Sequence, residues 1–333
     1  MGKTLHLHIG WPKCASTTIQ KMCALNQKQL MDLGYYYPII GGASGMGNGT
    51  PLWQAFDRGK KFLHRHPDML NFDDVKTFFR KNFLDTEHEH VVISSENLFA
   101  KALKHDFSFV FDSFDSIKVY WVIRPRIQRA QSRYLHMVRN GKVKLEIGDY
   151  ISECERNDKV PFPGNYMRSY SFWSKIAGED EFKILMLQSG FEPIQEQFLK
   201  ACIGHVPKSI SLNKSMHQKI GAVPTAAIMN LEADFDNRPE YLKKIKHIRG
   251  MARKLRVHKK TVNVLTADVA DRLTKMFYDD ERTFAAAQSE YTIDDLNPDI
   301  SQIVASSTTL ASVREWRDYK RLKKALAKDG IFV

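Results

Sequence analysis

Gly10-Trp11-Pro12-Lys13-Cys14-Ala15-Ser16-Thr17-Thr18 is the segment whose residue types and spacing do chemistry. Leu5-His6-Leu7-His8-Ile9 before it reads as a strand, and Pro12 bars a helix from starting at once. Ser16 to Leu33 reads as a helix with Ile19, Met22, Cys23, Leu30 and Leu33 on one stripe, stopped by Gly34. At a strand-to-helix turn, backbone N–H groups and the helix dipole converge on an anion. Lys13 adds a point charge, and Ser16, Thr17 and Thr18 add hydroxyls in the first helical turn. This is phosphate-binding chemistry without the Walker A pattern, because there is no Gly-Lys pair and Cys14 stands where a metal-holding hydroxyl would follow the lysine. The loop is read as one that holds a phosphate without a metal. The plainer alternative is a turn with a chance lysine and a capping serine.

A second segment favours the chemical reading. The apolar run 118–123 ends at Arg124, followed by Pro125 and a helix over 126–139 carrying Arg126, Arg129, Ser132, Arg133 and Arg139. An arginine at the carboxyl end of a parallel strand lies at the ligand crevice of an open α/β sheet. Ser132 is eight residues on, so it meets the same ligand only if the helix packs back over the strand end.

The elements that position these groups are those of an α/β fold. Val91-Val92-Ile93-Ser94-Ser95 and 118–123 are nearly continuous apolar runs, which suit parallel strands covered on both faces. Phe182 to Leu187 is a fourth strand. Helices are expected over 72–85, 146–156, 164–177 and 193–202, and a flexible glycine-rich loop over 41–49. From residue 220 the pattern is mainly helical, with a basic stretch over 243–260 and a basic helix over 313–328. The expected fold is a P-loop-like three-layer arrangement with a central, mostly parallel sheet and a largely helical C-terminal extension. The expected division is a main domain over 1–292 and a basic helical tail over 293–333.

Composition narrows the class. The 333 residues are 43% hydrophobic and 26% charged, which excludes a disordered tail protein or a disulfide-rich miniprotein. No window reaches eighteen apolar residues. Fifty Lys and Arg against 38 Asp and Glu give a formal charge of +12, which favours anionic partners. Cys14, Cys23, Cys154 and Cys202 form no CxxC pair or zinc-finger pattern, so free thiols, and with no signal peptide a cytoplasmic location, are expected.

Pro12-Lys13-Cys14-Ala15-Ser16-Thr17, together with Arg124 and Ser132, resembles the two donor-binding motifs of the PAPS-dependent sulfotransferases, where PAPS is 3′-phosphoadenylyl sulfate. The resemblance is closest to the bacterial carbohydrate-type enzymes, through His8-Ile9-Gly10, Ile19-Gln20 and Tyr37-Pro38. Ser94-Ser95-Glu96, Tyr166 with Trp173, and Phe277-Tyr278-Asp279-Asp280 extend it over most of residues 5–290. Two departures stand out. Ala15 replaces the usual glycine, and no Arg-Lys-Gly segment is present, leaving Arg249-Gly250 or Asn213-Lys214-Ser215 as possible substitutes in the 3′-phosphate clamp.

The resemblance implies that residues 13–18, Lys13 through Thr18, hold the 5′-phosphosulfate and that Arg124 and Ser132 hold the 3′-phosphate. Lys13 would stabilise the transferring sulfuryl group. Glu96 is the first choice of general base and His136 the second; His6 and His8 are expected in the core or the cleft wall. PAPS is the donor, PAP the product, and no metal is required. The charge surplus suits a carbohydrate or other hydroxyl acceptor that is already acidic. Trp11, Trp53, Tyr35 and Tyr36 are available to stack on sugar or adenine, although aromatic residues are more often core. A P-loop kinase would need a metal-binding Asp after a strand, whereas Asp112 and Asp115 precede one. A nucleic-acid-binding protein would explain the basic helices but not the two motifs.

Overall fold

The computed structural model describes residues 2–40, 49, 52, 72–96, 98–212, 221–232 and 238–333. They form two compact units: 1–125 with 165–216 and 287–290, and 126–164 with 217–286 and 291–333.

The first unit is an α/β layer structure. Strands β1 (Thr4–Gly10), β2 (Tyr35–Tyr36), β3 (His90–Ser94), β4 (Ser116–Ile123) and β5 (Phe182–Met186) form one sheet in the order β2-β3-β1-β4-β5. Every pairing is parallel, as expected for strands buried on both faces. Successive residues of β4 serve opposite faces, following the period of two of a pleated strand. Tyr120 and Val122 join a core made with helices α1 (Ser16–Leu25) and α2 (Gln27–Asp32) and the later helix Ile194–Ile203. Trp121 instead stacks on Phe99 at 5.5 Å and meets Tyr166 edge-on at 5.6 Å.

The expected single helix over 16–33 is broken at Asn26 (φ −112°). Asn26 is buried, donates to Met22 O (2.8 Å) and Ser211 O (3.0 Å), and accepts from Ser211 N (2.8 Å). A buried amide bonded this way competes with the helix ladder. Gly34 ends α2 in the left-handed region (φ 87°), as expected of a stop glycine. Tyr35 and Tyr36, expected as core or stacking residues, form the edge strand β2, and Tyr35 donates to Cys202 O (3.0 Å) and stacks on His90.

The next helices are α3 (Phe72–Phe79), which runs into a π-turn over Arg80–Leu84, then α4 (Leu98–Lys101) and α5 (Ser108–Phe111). All four cysteines are free and buried. The glycine run 41–48, Trp53 and Asn213-Lys214-Ser215 lie outside the described residues. No helix among the described residues is long and apolar enough to cross a membrane.

The second unit is helical: α6 (Arg126–Arg139) and α7 (Ile147–Arg156), and, after α8 (Tyr166–Ala177) and α9 (Ile194–Ile203) of the first unit, α10 (Ala222–Met229), α11 (Arg238–Lys254), α12 (Ala267–Ala287), α13 (Ile293–Leu296), α14 (Ser301–Ala305) and α15 (Arg317–Lys328). All eight residues of α10 are buried, which marks it as the central helix. Leu310, Val313, Tyr319, Leu322 and Leu326 belong to the same core. Residues expected as a tail are therefore built into this unit.

Its N-terminal helix is held by buried charge. Arg126 pairs with Asp280 (2.5 Å), donates to Gly164 O (2.7 Å) and lies 4.1 Å over the Phe277 ring. Beside this pair, burial pushes the Glu281 carboxyl up from 4.5 to about 8, against the opposing pull of Arg126. A carboxyl raised in the folded state binds a proton that the unfolded chain releases. Its contribution to stability is full below pH 4.5 and is lost as pH rises through about 8. The melting temperature of wild type should therefore fall from pH 5 to pH 8.5 more steeply than that of Glu281→Gln; parallel profiles would show that Glu281 does not titrate there.

Candidate functional site

The loop between β1 and α1, expected to hold a phosphate, is a left-handed turn. Lys13 has φ 78° and Ala15 has φ 59°, both in the region that favours glycine. At Ala15, where the sequence departs from the glycine of the family motif, the alanine takes the αL conformation itself (φ 59°, ψ 18°). The turn places Ala15 at the N-cap of α1 with no side-chain cap. The helix start is thus left to an outside acceptor. Cys14 N bonds Trp11 O at 3.2 Å and Thr18 N bonds Ala15 O at 2.8 Å, which closes the loop on either side. Ser16 is 3% exposed, and its Oγ has no partner among the described residues. A buried hydroxyl without a partner costs free energy unless something binds it.

Gly10 is needed for this geometry. A Cβ there would stand 2.9 Å from the Val122 carbonyl oxygen of β4, a backbone atom that cannot swing away.

The strand ends gather the other groups. In the sheet, β1 lies between β3 and β4, and the connection leaving β1 runs to one side while that leaving β4 runs to the other. That is a topological switch point, where ligands bind at the carboxyl ends of strands. His8 is opposite Ser94 and Gly10 is opposite Val122, so Glu96 and Arg124 each lie two residues past a residue paired with β1. Ser95 N bonds His8 O at 3.0 Å, and Ser95 Oγ accepts from Leu98 N (3.3 Å). These two bonds pin the backbone on which half-buried Glu96 sits.

Arg124 is held by its backbone, since Tyr166 donates its hydroxyl to the Arg124 carbonyl. Burial lowers the pKa of the guanidinium below the usual arginine value, while the neighbouring Cys14 and Tyr166 act in the opposite direction. The influence of Cys14 places this arginine in the electrostatic neighbourhood of the loop. Its Nε is buried and has no partner among the described residues.

The first unit by itself therefore brings together Lys13, Cys14, Ala15, Ser16, Thr17, Thr18, Glu96 and Arg124 at one edge of the sheet. Ser132 and His136 lie on α6 of the second unit, both half-buried, with the His136 Nε2 3.0 Å from Asn140 Nδ2. Arg249, a possible clamp residue, donates instead to the Arg139 carbonyl and to Asn140 Oδ1 (3.3 Å), satisfying the C-terminal end of α6. Trp11 packs edge-on against Phe99 at 4.7 Å. His6 and His8 are buried with pKa values pushed down to about 3 by desolvation, so both are neutral core groups. His8 Nδ1 lies 2.7 Å from Ser94 Oγ, tying β1 to β3 just behind the site.

The sequence reading missed the left-handed Lys13, the orphaned Ser16 hydroxyl and the hold of Tyr166 on Arg124. Only the last had a signal, because Tyr166 was part of the family resemblance. Among the described residues no group of three or more His, Cys, Asp or Glu is arranged to hold a metal. A cavity of about 450 Å³ opens elsewhere in the first unit, lined by Phe107, Phe111, Ile117, Phe172 and Ile176. Ile117 is at the amino end of β4, so this cavity is at the opposite edge of the sheet from the loop.

No family model matches the chain, and no curated protein matches it. A solved structure titled as a sulfotransferase from Alicyclobacillus acidocaldarius is similar over 91% of this chain and 99% of its own, at 14% identity and a TM-score of 0.46. A likeness of that degree assigns nothing to individual residues.

Two substitutions separate crowding from strain. Gly10→Ala should lower the unfolding free energy by about 1–3 kcal/mol through its contact with the Val122 carbonyl. Ala15→Gly, which relieves a left-handed alanine, should leave stability within about 1 kcal/mol of wild type. Chemical denaturation checks both; an Ala15→Gly loss as large as that of Gly10→Ala would contradict the loop geometry.

Proposed function

We propose that the chain is a sulfotransferase that moves the sulfuryl group from PAPS to a hydroxyl of an acceptor. The observation that carries this reading is the pair of buried, unpartnered polar atoms, Ser16 Oγ and Arg124 Nε, at adjacent strand ends beside an uncapped helix N-terminus. Such a cradle fits an anionic ligand, and the two motifs of the sequence give that ligand two phosphate ends. The Walker pattern is absent, which weighs against a Mg²⁺-nucleotide.

In this reading the backbone of residues 13–18 and the hydroxyls of Ser16, Thr17 and Thr18 hold the 5′-phosphate. Arg124 and Ser132 hold the 3′-phosphate, and so select PAP-type nucleotides over ordinary adenylates. The acceptor oxygen attacks sulfur in line, the bond from sulfur to the bridging phosphate oxygen breaks, and PAP leaves with the electron pair. Lys13 stabilises charge on the bridging and sulfuryl oxygens as that bond breaks. Glu96 takes the acceptor hydroxyl proton, with His136 as the second choice. No metal is needed for any step.

The basic nucleic-acid reading leaves the cradle without a ligand, and a kinase reading leaves Lys13 without its neighbouring hydroxyl. The charge surplus supports an acidic acceptor, a carbohydrate in the first instance.

Calorimetry with PAP in the presence of EDTA should give one site. Arg124→Ala should weaken PAP by roughly tenfold or more while changing 5′-AMP affinity little, because a charge-assisted contact to one phosphate is lost. Equal losses for both nucleotides would remove Arg124 from the 3′-phosphate. With labelled PAPS, Lys13→Ala should lower turnover by about 10²–10³-fold. Glu96→Gln should slow transfer while PAP still binds; an unchanged rate would move the base to His136.

A further inference from the structure

The largest excess of positive charge in the second unit lies in one segment. The unit holds 29 Lys or Arg against 20 Asp or Glu. Residues 238–260, helix α11 and the turn after it, hold ten of the bases and a single acid, Glu240. Outside this segment the unit sums to nineteen of each, with α15 holding six bases against one acid, Asp318.

Helical periodicity sorts α11 into two faces. Tyr241, Ile245, Ile248 and Ala252 are buried in the helical core. Lys243, Lys246, Arg253, Lys254, Arg256 and Lys259 are exposed. None of these six is in an ion pair among the described residues. Elsewhere on the same unit Lys320 pairs with Glu315 (3.0 Å) and half-buried Arg272 with Glu155 (2.6 Å), although Arg314, Arg317, Lys323, Lys324 and Lys328 are also exposed without an ion pair among the described residues. The crowding is felt within the helix, since the nearby Arg253 adds to burial in lowering the Arg249 pKa. A single-sign surface repels itself and is costly to keep without a counter-charge. Seventeen residues of helix extend this face over about 25 Å, long enough for several anionic groups of one chain.

The composition of the face selects among polyanions. Helix α11 contains no Ser, Thr, Asn or Gln, the uncharged side chains that read base edges alongside arginine and lysine. Its exposed side carries no Trp, Tyr or Phe on which a base would stack, and its exposed ring, His247, is engaged by Asp329 (2.7 Å). Its large exposed apolar residue is Leu242 alone, and its apolar face is committed to the core, so it lacks the stripe that inserts into a bilayer. What remains is recognition by closely spaced charge. We propose that the exposed face of α11 and the following turn is a docking surface for a linear acidic polysaccharide bearing sulfate or carboxylate groups. The choice of a polysaccharide rests in part on the sulfotransferase reading; the docking surface rests on the charge distribution alone.

The test compares a heparin octasaccharide, a single-stranded DNA of equal charge and phosphatidylserine-containing vesicles, each titrated at 50 mM and 300 mM NaCl. The variants are K243E/K246E/R253E/K254E and, as a control of similar charge change, K320E/R321E/K323E/K324E on α15. Far-UV circular dichroism and melting temperature establish that each is folded. Should the fourfold α11 variant not fold, K243E/R253E with K320E/K323E as its control carries the same comparison. Wild type should bind the octasaccharide in a salt-sensitive manner. The α11 variant should bind it roughly tenfold or more weakly, and the α15 variant within about twofold of wild type. Equal losses in the two variants, tighter binding of the DNA, or binding to vesicles alone would overturn the proposal. PAP affinity is measured on the same samples: wild type that binds no PAP fails the sulfotransferase reading, while the oligosaccharide comparison still decides the docking surface.

Discussion

The left-handed backbone at Lys13 and Ala15 is the constraint on which the rest depends. Two L-residues in this region cost roughly 1–2 kcal/mol each, and such strain persists only where the surroundings over-determine it. Here the surroundings are a strand buried almost along its whole length and a helix whose Ile19, Met22 and Cys23 share a core with Cys14 of the loop itself. Gly10 lets β1 approach the Val122 carbonyl, the turn reverses the chain, and α1 begins uncapped with Ser16 buried at its first position. Strand, turn and helix thus leave the Ser16 hydroxyl buried without a partner among the described residues.

The sheet extends that local device into a site. Parallel pairing of β3, β1 and β4 brings the chain that follows each strand to the same edge, which is how Glu96 and Arg124, far apart in sequence, meet the loop. Backbone bonds fix the chain at both: Ser95 N to His8 O and Leu98 N to Ser95 Oγ beside Glu96, and the Tyr166 hydroxyl to the Arg124 carbonyl. The histidines His6 and His8 behind them serve the fold, with burial keeping them uncharged.

Much of this was legible in the residues. The apolar run ending at Arg124 marked β4, and the helix over 126–139 has its expected bounds, because Pro125 and the pattern of apolar residues leave little freedom. The strand-to-helix turn over residues 10–16 was legible from Pro12 and the apolar run before it. What was not legible depends on partners distant in sequence. The break at Asn26 needs Ser211, and the edge strand at Tyr35 and Tyr36 needs His90 and Val91. The positive φ of Lys13 has no residue signature, since lysine is not a residue chosen for it. The buried charges around Arg126 were hidden because Asp280 and Glu281 lie more than 150 residues away.

The central claim is that the loop and Arg124 grip opposite phosphates of one nucleotide. A crystal structure with bound PAP tests it directly. The account predicts the 5′-phosphate within hydrogen-bond distance of Ser16 Oγ and the amides at the start of α1, and the 3′-phosphate within reach of the Arg124 guanidinium. PAP seated at another place, or a loop closed over its own Ser16 hydroxyl while saturating PAP is present, would contradict it.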